Sequence, residues 1–117
     1  MAGNEGLRRV NNIELIALSI LSEDDYYGYQ IVQLIEEYSN GIIKLTEGSL
    51  YPALYRLEDH GYISSERRQV GRRMSRIYYH IENSGFDYLS ELKAEYELLH
   101  SGIGNILTHF HSGRDES

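Results

Sequence analysis

The chain has no cysteine. That excludes a disulfide framework, a thiolate metal site and a catalytic thiol. It also has no apolar run approaching the length of a membrane span. The greasiest stretch, Ile13 to Leu21, is interrupted by Glu14 and Ser19. Arg8 and Arg9 precede it, but no small-residue cleavage pattern follows, so it reads as a core helix and not as a signal peptide. The expected location is the cytoplasm. A phosphate loop, a nucleophile elbow and paired groups at catalytic spacing are all missing, so an enzyme is not expected and no cofactor is implied. Positive charge is scarce as well, with 11 basic against 18 acidic residues and a net charge of −7. The sum argues at first against a nucleic-acid partner.

The distribution of charge argues the other way. Lys44 to Ile81 holds seven basic and four acidic residues, so this segment is +3 and the remainder carries −10. An acidic body with one basic face can hold a duplex in one orientation and disfavours loose binding elsewhere. The 117 residues suit one domain, or a small domain with an appendage. The apolar fraction of 41% is ordinary and sufficient for a core.

Residues 1–9 read as a flexible arm. Asn11 and Glu14 have capping-box spacing, which predicts a first helix from about Asn12 to Leu21. A second helix is expected over about Tyr27 to Ser39, burying Ile31, Leu34, Ile35 and Tyr38 and ending at Asn40-Gly41. Gly28, flanked by Tyr26, Tyr27 and Tyr29, marks a close approach of that helix to another element. Ile42 to Leu45 forms an apolar link that suits a small strand. A third helix is predicted from Glu47 to His60, with Leu50, Leu54 and Leu57 as its apolar stripe. Pro52, the sole proline, should make its first turns irregular. Strands are predicted over Tyr62 to Arg68 and Met74 to Ile81, with Ile77, Tyr79 and Ile81 on one face.

A short helix followed by an arginine-bearing hairpin is the sequence form of a winged helix-turn-helix. The expected fold is therefore mainly α with a small β-hairpin wing. Residues 10–82 would be the DNA-binding domain. Thr46, Glu47 and Ser49 open the third helix, where hydroxyls and backbone amides suit phosphates and side chains reach base edges. Gly48, Tyr51, Tyr55 and Arg56 lie off its apolar stripe, and Lys44 precedes it. At the hairpin tip Gly71 supplies a turn and Arg72 and Arg73 project, as guanidinium groups suited to phosphates or a narrow minor groove. Arg67 and Arg68 divide between that role and the blunting of an exposed strand edge. The candidate DNA contacts are thus Lys44, Thr46, Glu47, Gly48, Ser49, Tyr51, Tyr55, Arg56, Arg72 and Arg73.

The last helix, about Ser84 to Phe110, has apolar or aromatic residues at Leu89, Leu92, Tyr96, Leu99, Ile103, Ile106 and Phe110. Those steps alternate three and four, a heptad seam that suits packing along a second helix. Residues 83–110 are accordingly expected to be a dimerisation helix, with the seam residues as the interface and 111–117 as a disordered tail. Tyr96 has two readings, dimer packing or the wall of a site for a flat aromatic effector. His109 and His111 are the only close histidine pair, and on a helix that spacing does not share a face, so no metal is expected.

These strings together resemble the PadR-like transcriptional regulators. The resemblance covers roughly Asn12 to Leu107. It rests on GYQI at Gly28 to Ile31, EGSLYPALYRLEDHGYI at Glu47 to Ile63, GRR at Gly71 to Arg73 and RIYYHI at Arg76 to Ile81. The single C-terminal helix resembles the small subfamily. The resemblance implies a homodimeric repressor on a pseudo-palindromic operator, controlling neighbouring transport or detoxification genes and sometimes relieved by an aromatic or hydrophobic molecule. Tyr96 matches a tryptophan that lines a drug-binding pore in one small-subfamily member. Ile77 stands where the family usually has a basic residue. Glu82 stands where a threonine usually caps the last helix, which leaves Ser84 with Asp87 as the expected cap. The alternative function is a winged-helix protein-interaction or ligand-sensing module without direct operator binding.

Overall fold

The computed structural model describes residues 9–111. Helix α1 spans Arg9–Leu21, strand β1 Tyr26–Tyr27 and helix α2 Gly28–Tyr38. Helix α3 spans Glu47–Asp59, strands β2 and β3 Ile63–Gln69 and Ser75–Ile81, and helix α4 Asn83–His109. The three strands form one antiparallel sheet in the order β1-β3-β2. Ile63 faces Ile81 and Gln69 faces Ser75 across the hairpin, while Tyr26 faces Tyr79. The fold is a winged helix-turn-helix with a long C-terminal helix. Residues 1–8 of the expected arm and 112–117 of the expected tail lie outside the described residues.

The core sits where α1, α2, α3 and the first third of α4 converge on the buried face of the hairpin. Leu18, Leu21, Ile31, Leu50, Leu54, Leu57 and Ile63 are its largest fully buried side chains. Each contributes about 1.5–3 kcal/mol by leaving water. The predicted α3 stripe is buried in full, joined by Ala53. Tyr79 and Ile81 alternate inward from β3, and Ile77 packs partly against the same cluster. Gly61, at φ 78°, turns the chain from α3 into β2.

Several local expectations are corrected. Helix α1 is already helical at Arg9, so Glu14 lies in its middle and caps nothing. The third element of the sheet is β1, not Ile42 to Leu45. Ile42 is exposed, and the link has no strand conformation. Tyr38 is 78% exposed, because α2 buries Ile31 and Ile35 and its last turn projects beyond the core. Helix α3 runs without interruption through Pro52. Glu82, not Ser84, is the residue before α4. Ser84 instead donates its hydroxyl to the Gly61 carbonyl at 2.8 Å, tying the helix start to the α3–β2 turn.

Helix α4 is 27 residues long, about 40 Å at helical rise. Only its start belongs to the core, and the rest projects. The molecule measures 67 × 29 × 22 Å. Its radius of gyration is 17.4 Å, against about 13 Å for a compact chain of this length.

Candidate nucleic-acid interface

The start of α3 is built by its cap. Thr46 is extended, and its Oγ1 accepts the Ser49 amide at 3.1 Å while its hydroxyl donates to Ser49 Oγ at 3.2 Å. Glu47 in the first turn complements the helix dipole. The Tyr51 hydroxyl donates to Glu47 Oε1 at 3.3 Å. Burial first, and then the Glu47 carboxylate, hold that phenol above its ordinary range, so it remains a donor. Tyr51 also lies over buried Gly28. A Cβ added there would come within 2.7 Å of the Tyr51 oxygen, so the glycine is what allows α2 to meet α3 so closely. Lys44, Thr46, Glu47, Gly48, Ser49, Tyr51 and Tyr55 are all exposed along this edge.

Arg56 is only partly exposed. Its Nε donates to Glu14 Oε2 at 2.9 Å, and Glu14 is only 7% exposed. The other carboxylate oxygen accepts the Tyr88 hydroxyl at 3.0 Å. A carboxylate buried in α1 is costly unless both oxygens are satisfied, and here α3 and α4 each supply a donor. Burial, followed by the Glu14 charge, pushes the Tyr88 phenol well above its ordinary range. Arg56, expected among the DNA contacts, is thus engaged through Nε by the acid of α1 while its side chain stays 40% exposed. The sequence signal was available, since Glu14 interrupts the most apolar stretch of the chain.

The wing divides its arginines into two groups. Arg68 donates to Asp25 Oδ2 at 2.6 Å and to Glu66 Oε2 at 2.9 Å, and lies 4.6 Å over the Tyr78 ring. Arg76 lies 4.4 Å over the Tyr27 ring. Arg67 donates to Ser75 Oγ at 3.1 Å across the hairpin. Asp25 also meets His80 Nδ1 at 2.7 Å, which joins the α1–β1 turn to both wing strands. Burial opposes ionisation of Asp25, but the hydrogen bonds from His80 and Arg68 outweigh it and lower its pKa. The bond to Asp25 raises that of His80. Arg72 and Arg73, by contrast, are exposed and make no ion pair with any described residue. The tip backbone beneath them is fixed by Gln69, whose Nε2 donates to the Gly71 and Arg72 carbonyls at 2.6 and 3.1 Å.

The heptad seam is likewise divided. Leu89 and Leu92, expected at a dimer interface, are core residues of the protomer, because α1 packs directly on this end of α4. Tyr96, Ile103, Ile106 and Phe110 are exposed and Leu99 is half-buried. Tyr96 stacks on His100 and borders a groove of about 650 Å³ between α1, α2 and α4.

A family model for the transcriptional regulator PadR-like family matches residues 17–91. A solved transcriptional regulator from Clostridium thermocellum is similar at 34% identity and a TM-score of 0.76, covering 81% of this chain and 92% of that one. The Escherichia coli transcriptional regulator YqjI is 26% identical over 91 residues, which are 78% of this chain and 42% of that protein. Bacillus subtilis PadR, solved in complex with operator DNA, shares the fold at 23% identity and a TM-score of 0.62. That match covers 67% of this chain and 44% of that one. No helix among the described residues is long and apolar enough to cross a membrane.

Proposed function

Because the chain belongs to the PadR-like family of transcriptional regulators, we propose that it acts as a homodimeric repressor that places α3 in the major groove of a pseudo-palindromic operator. The wing tip then holds the flanking backbone or minor groove. The observation that carries this reading is the division of the arginines. Arg56, Arg67, Arg68 and Arg76 are engaged within the protein, while Arg72 and Arg73 stand free at the tip. Free guanidinium groups on a fixed backbone suit phosphates. The capped start of α3 brings Thr46, Glu47, Gly48, Ser49, Tyr51 and Tyr55 to base edges and nearby phosphates, with Lys44 beside them. Bacillus subtilis PadR, of the same fold, was solved on its operator, which supports this mode of action.

The part of the α4 seam outside the protomer core, Tyr96, Leu99, Ile103, Ile106 and Phe110, is the proposed dimer contact. It would set the half-site spacing near a multiple of one helical turn. An aromatic or hydrophobic effector beside Tyr96 would change the angle between the two reading heads and so the DNA affinity. The proposed setting is cytoplasmic, with neighbouring transport or detoxification genes as targets.

The test is fluorescence anisotropy against duplexes from the gene's own upstream region at two salt concentrations. Sequence-selective binding whose log affinity falls with log salt at about −0.9 per neutralised phosphate is expected. Arg72→Ala with Arg73→Ala should weaken all duplexes about equally. Salt-independent binding, or none to any duplex in a wider operator screen, would favour the protein-interaction module instead.

A further inference from the structure

The exposed face of α3 has an unusual composition for a helix that reads bases. Its outward residues include Glu47, Gly48, Ser49, Tyr51, Pro52 and Tyr55. The only cation in the helix is Arg56, whose Nε is held by Glu14 while its side chain stays 40% exposed. Asparagine and glutamine are absent from Glu47–Asp59. Guanine is commonly recognised by Arg or Lys at O6 and N7, and adenine by Asn or Gln at N6 and N7. Apart from Arg56, which Glu14 engages, this helix offers neither donor set. Between its acidic residues it offers an apolar strip. Gly48, Tyr51, Pro52 and Tyr55 follow one another at helical spacings of three, one and three residues, and with Glu58 and Tyr79 line a shallow concavity of about 440 Å³. Tyr51 is held in place over Gly28 and by Glu47, whereas Tyr55 is 76% exposed with no ring partner among the described residues.

Resting on the DNA-reading function proposed above, we infer that this chain identifies its half-site chiefly through thymine C5-methyl groups, received by the Gly48, Tyr51, Pro52 and Tyr55 face. The methyl is the one apolar group that base pairs present in the major groove, and apolar contact is its ordinary mode of recognition. Gly48 leaves room for the base to approach, and the Pro52 and Tyr55 rings supply the contact surface. Glu47 contributes at the edge of the patch. Its carboxylate accepts from cytosine N4 and repels phosphates, which penalises a misplaced register. The phosphate grip therefore comes from outside this face, from Lys44, the helix N-terminus and the wing tip.

The experiment begins with selection of an operator from a random duplex pool by the full chain. Each thymine of that operator is then replaced by deoxyuridine, which removes the methyl and keeps the base pair. Wild-type protein is expected to lose about fourfold in affinity at one or two thymines per half-site, the value of one buried methyl. In Tyr55→Ala the same replacements should become nearly silent, and Tyr55→Phe should restore the sensitivity because the ring is the contact. The methyl lies in the major groove, so wing contacts in the minor groove do not contribute to the scan. A selected operator that is indifferent to deoxyuridine but weakened by 7-deazapurines would overturn the inference and leave the DNA-reading function intact. Sensitivity to deoxyuridine that persists unchanged in Tyr55→Ala would overturn the assignment to this face. Failure to enrich any sequence would remove the function and the inference together.

Discussion

The two ends of α4 carry one periodicity and have two fates. In the first third, Leu89 and Leu92 fill the protomer's own core, Tyr88 bonds to Glu14, and Tyr88 stacks on Tyr62 at 4.3 Å. Beyond Tyr96 the same three-and-four spacing continues, but Ile103, Ile106 and Phe110 are exposed, with nothing among the described residues to cover them. A heptad seam thus states that a helix will be covered along one stripe. It does not state by what. Here the bundle of α1, α2 and α3 is short, so it can cover only the end of α4 nearest the hairpin.

The sharpest way to break this comparison is to truncate one residue at each end. Leu92→Ala should lower the unfolding free energy by about 2–5 kcal/mol, because it opens a cavity in the protomer core. Denaturant melts should show that loss at every protein concentration. Ile106→Ala should leave the concentration-independent part of the stability unchanged and shift the monomer–dimer equilibrium in sedimentation. Equal losses in the melts would mean that the far end is part of the protomer fold.

Glycines probe the same contrast with a smaller effect. A Cβ at Gly85 would lie 2.2 Å from the Tyr62 carbonyl oxygen and 2.7 Å from Ile81 Cγ1, so Gly85→Ala should cost about 1–3 kcal/mol. Gly102 has open space around its Cβ position. Gly102→Ala should therefore raise helix stability by about 0.5–1 kcal/mol, read as a higher Tm and greater helicity of the projecting segment. A loss at Gly102 comparable with that at Gly85 would contradict an uncovered far end.

The smallest expected effect serves as a control, because it lies at the wing and touches neither end of α4. The native pKa of His80 is raised, so its contribution is complete below the unfolded histidine value and is lost as pH rises through the raised one. That of Asp25 is lowered, so its contribution is complete above the ordinary carboxylate value and is lost as pH falls through the lowered one. The joint is strongest in the mildly acidic range between them. Both groups are partly exposed, so the slope above neutrality should be worth about 0.5 kcal/mol or less. His80→Gln should remove that alkaline-side slope from pH-dependent melts, and the change should add to those of Leu92→Ala and Gly102→Ala. A slope that survives in His80→Gln would place the titration elsewhere.

Much of the fold was legible because local patterns and tertiary demands agreed. The Leu50, Leu54 and Leu57 stripe, the alternation at Tyr79 and Ile81 and the tip at Gly71 all occupy their expected places. Where legibility failed, a long-range contact overrode a local pattern. Glu14 has a capping spacing but is satisfied by residues 42 and 74 positions away. Ile42 to Leu45 has strand composition, yet the strand that joins the hairpin is Tyr26–Tyr27, paired with Tyr78 and Tyr79 far along the chain. Arg56 lies off the apolar stripe of its helix, as a surface reading requires, but it answers a buried carboxylate that no window around α3 contains.

By itself, then, the sequence determined the four helices and the wing hairpin, the stripe that α3 buries and the basic segment of an otherwise acidic chain. These follow from periodicity and composition, which act over neighbouring residues. Only the tertiary structure decided which arginines are free. Arg68, Arg72, Arg73 and Arg76 are chemically alike, and what separates them is whether an acid or an aromatic ring from elsewhere in the chain comes within reach. It decided likewise how far the α4 seam is self-covered. Burial of a helix face depends on what the rest of the chain can bring against it, and that is set by the size and placement of the bundle and not by the helix.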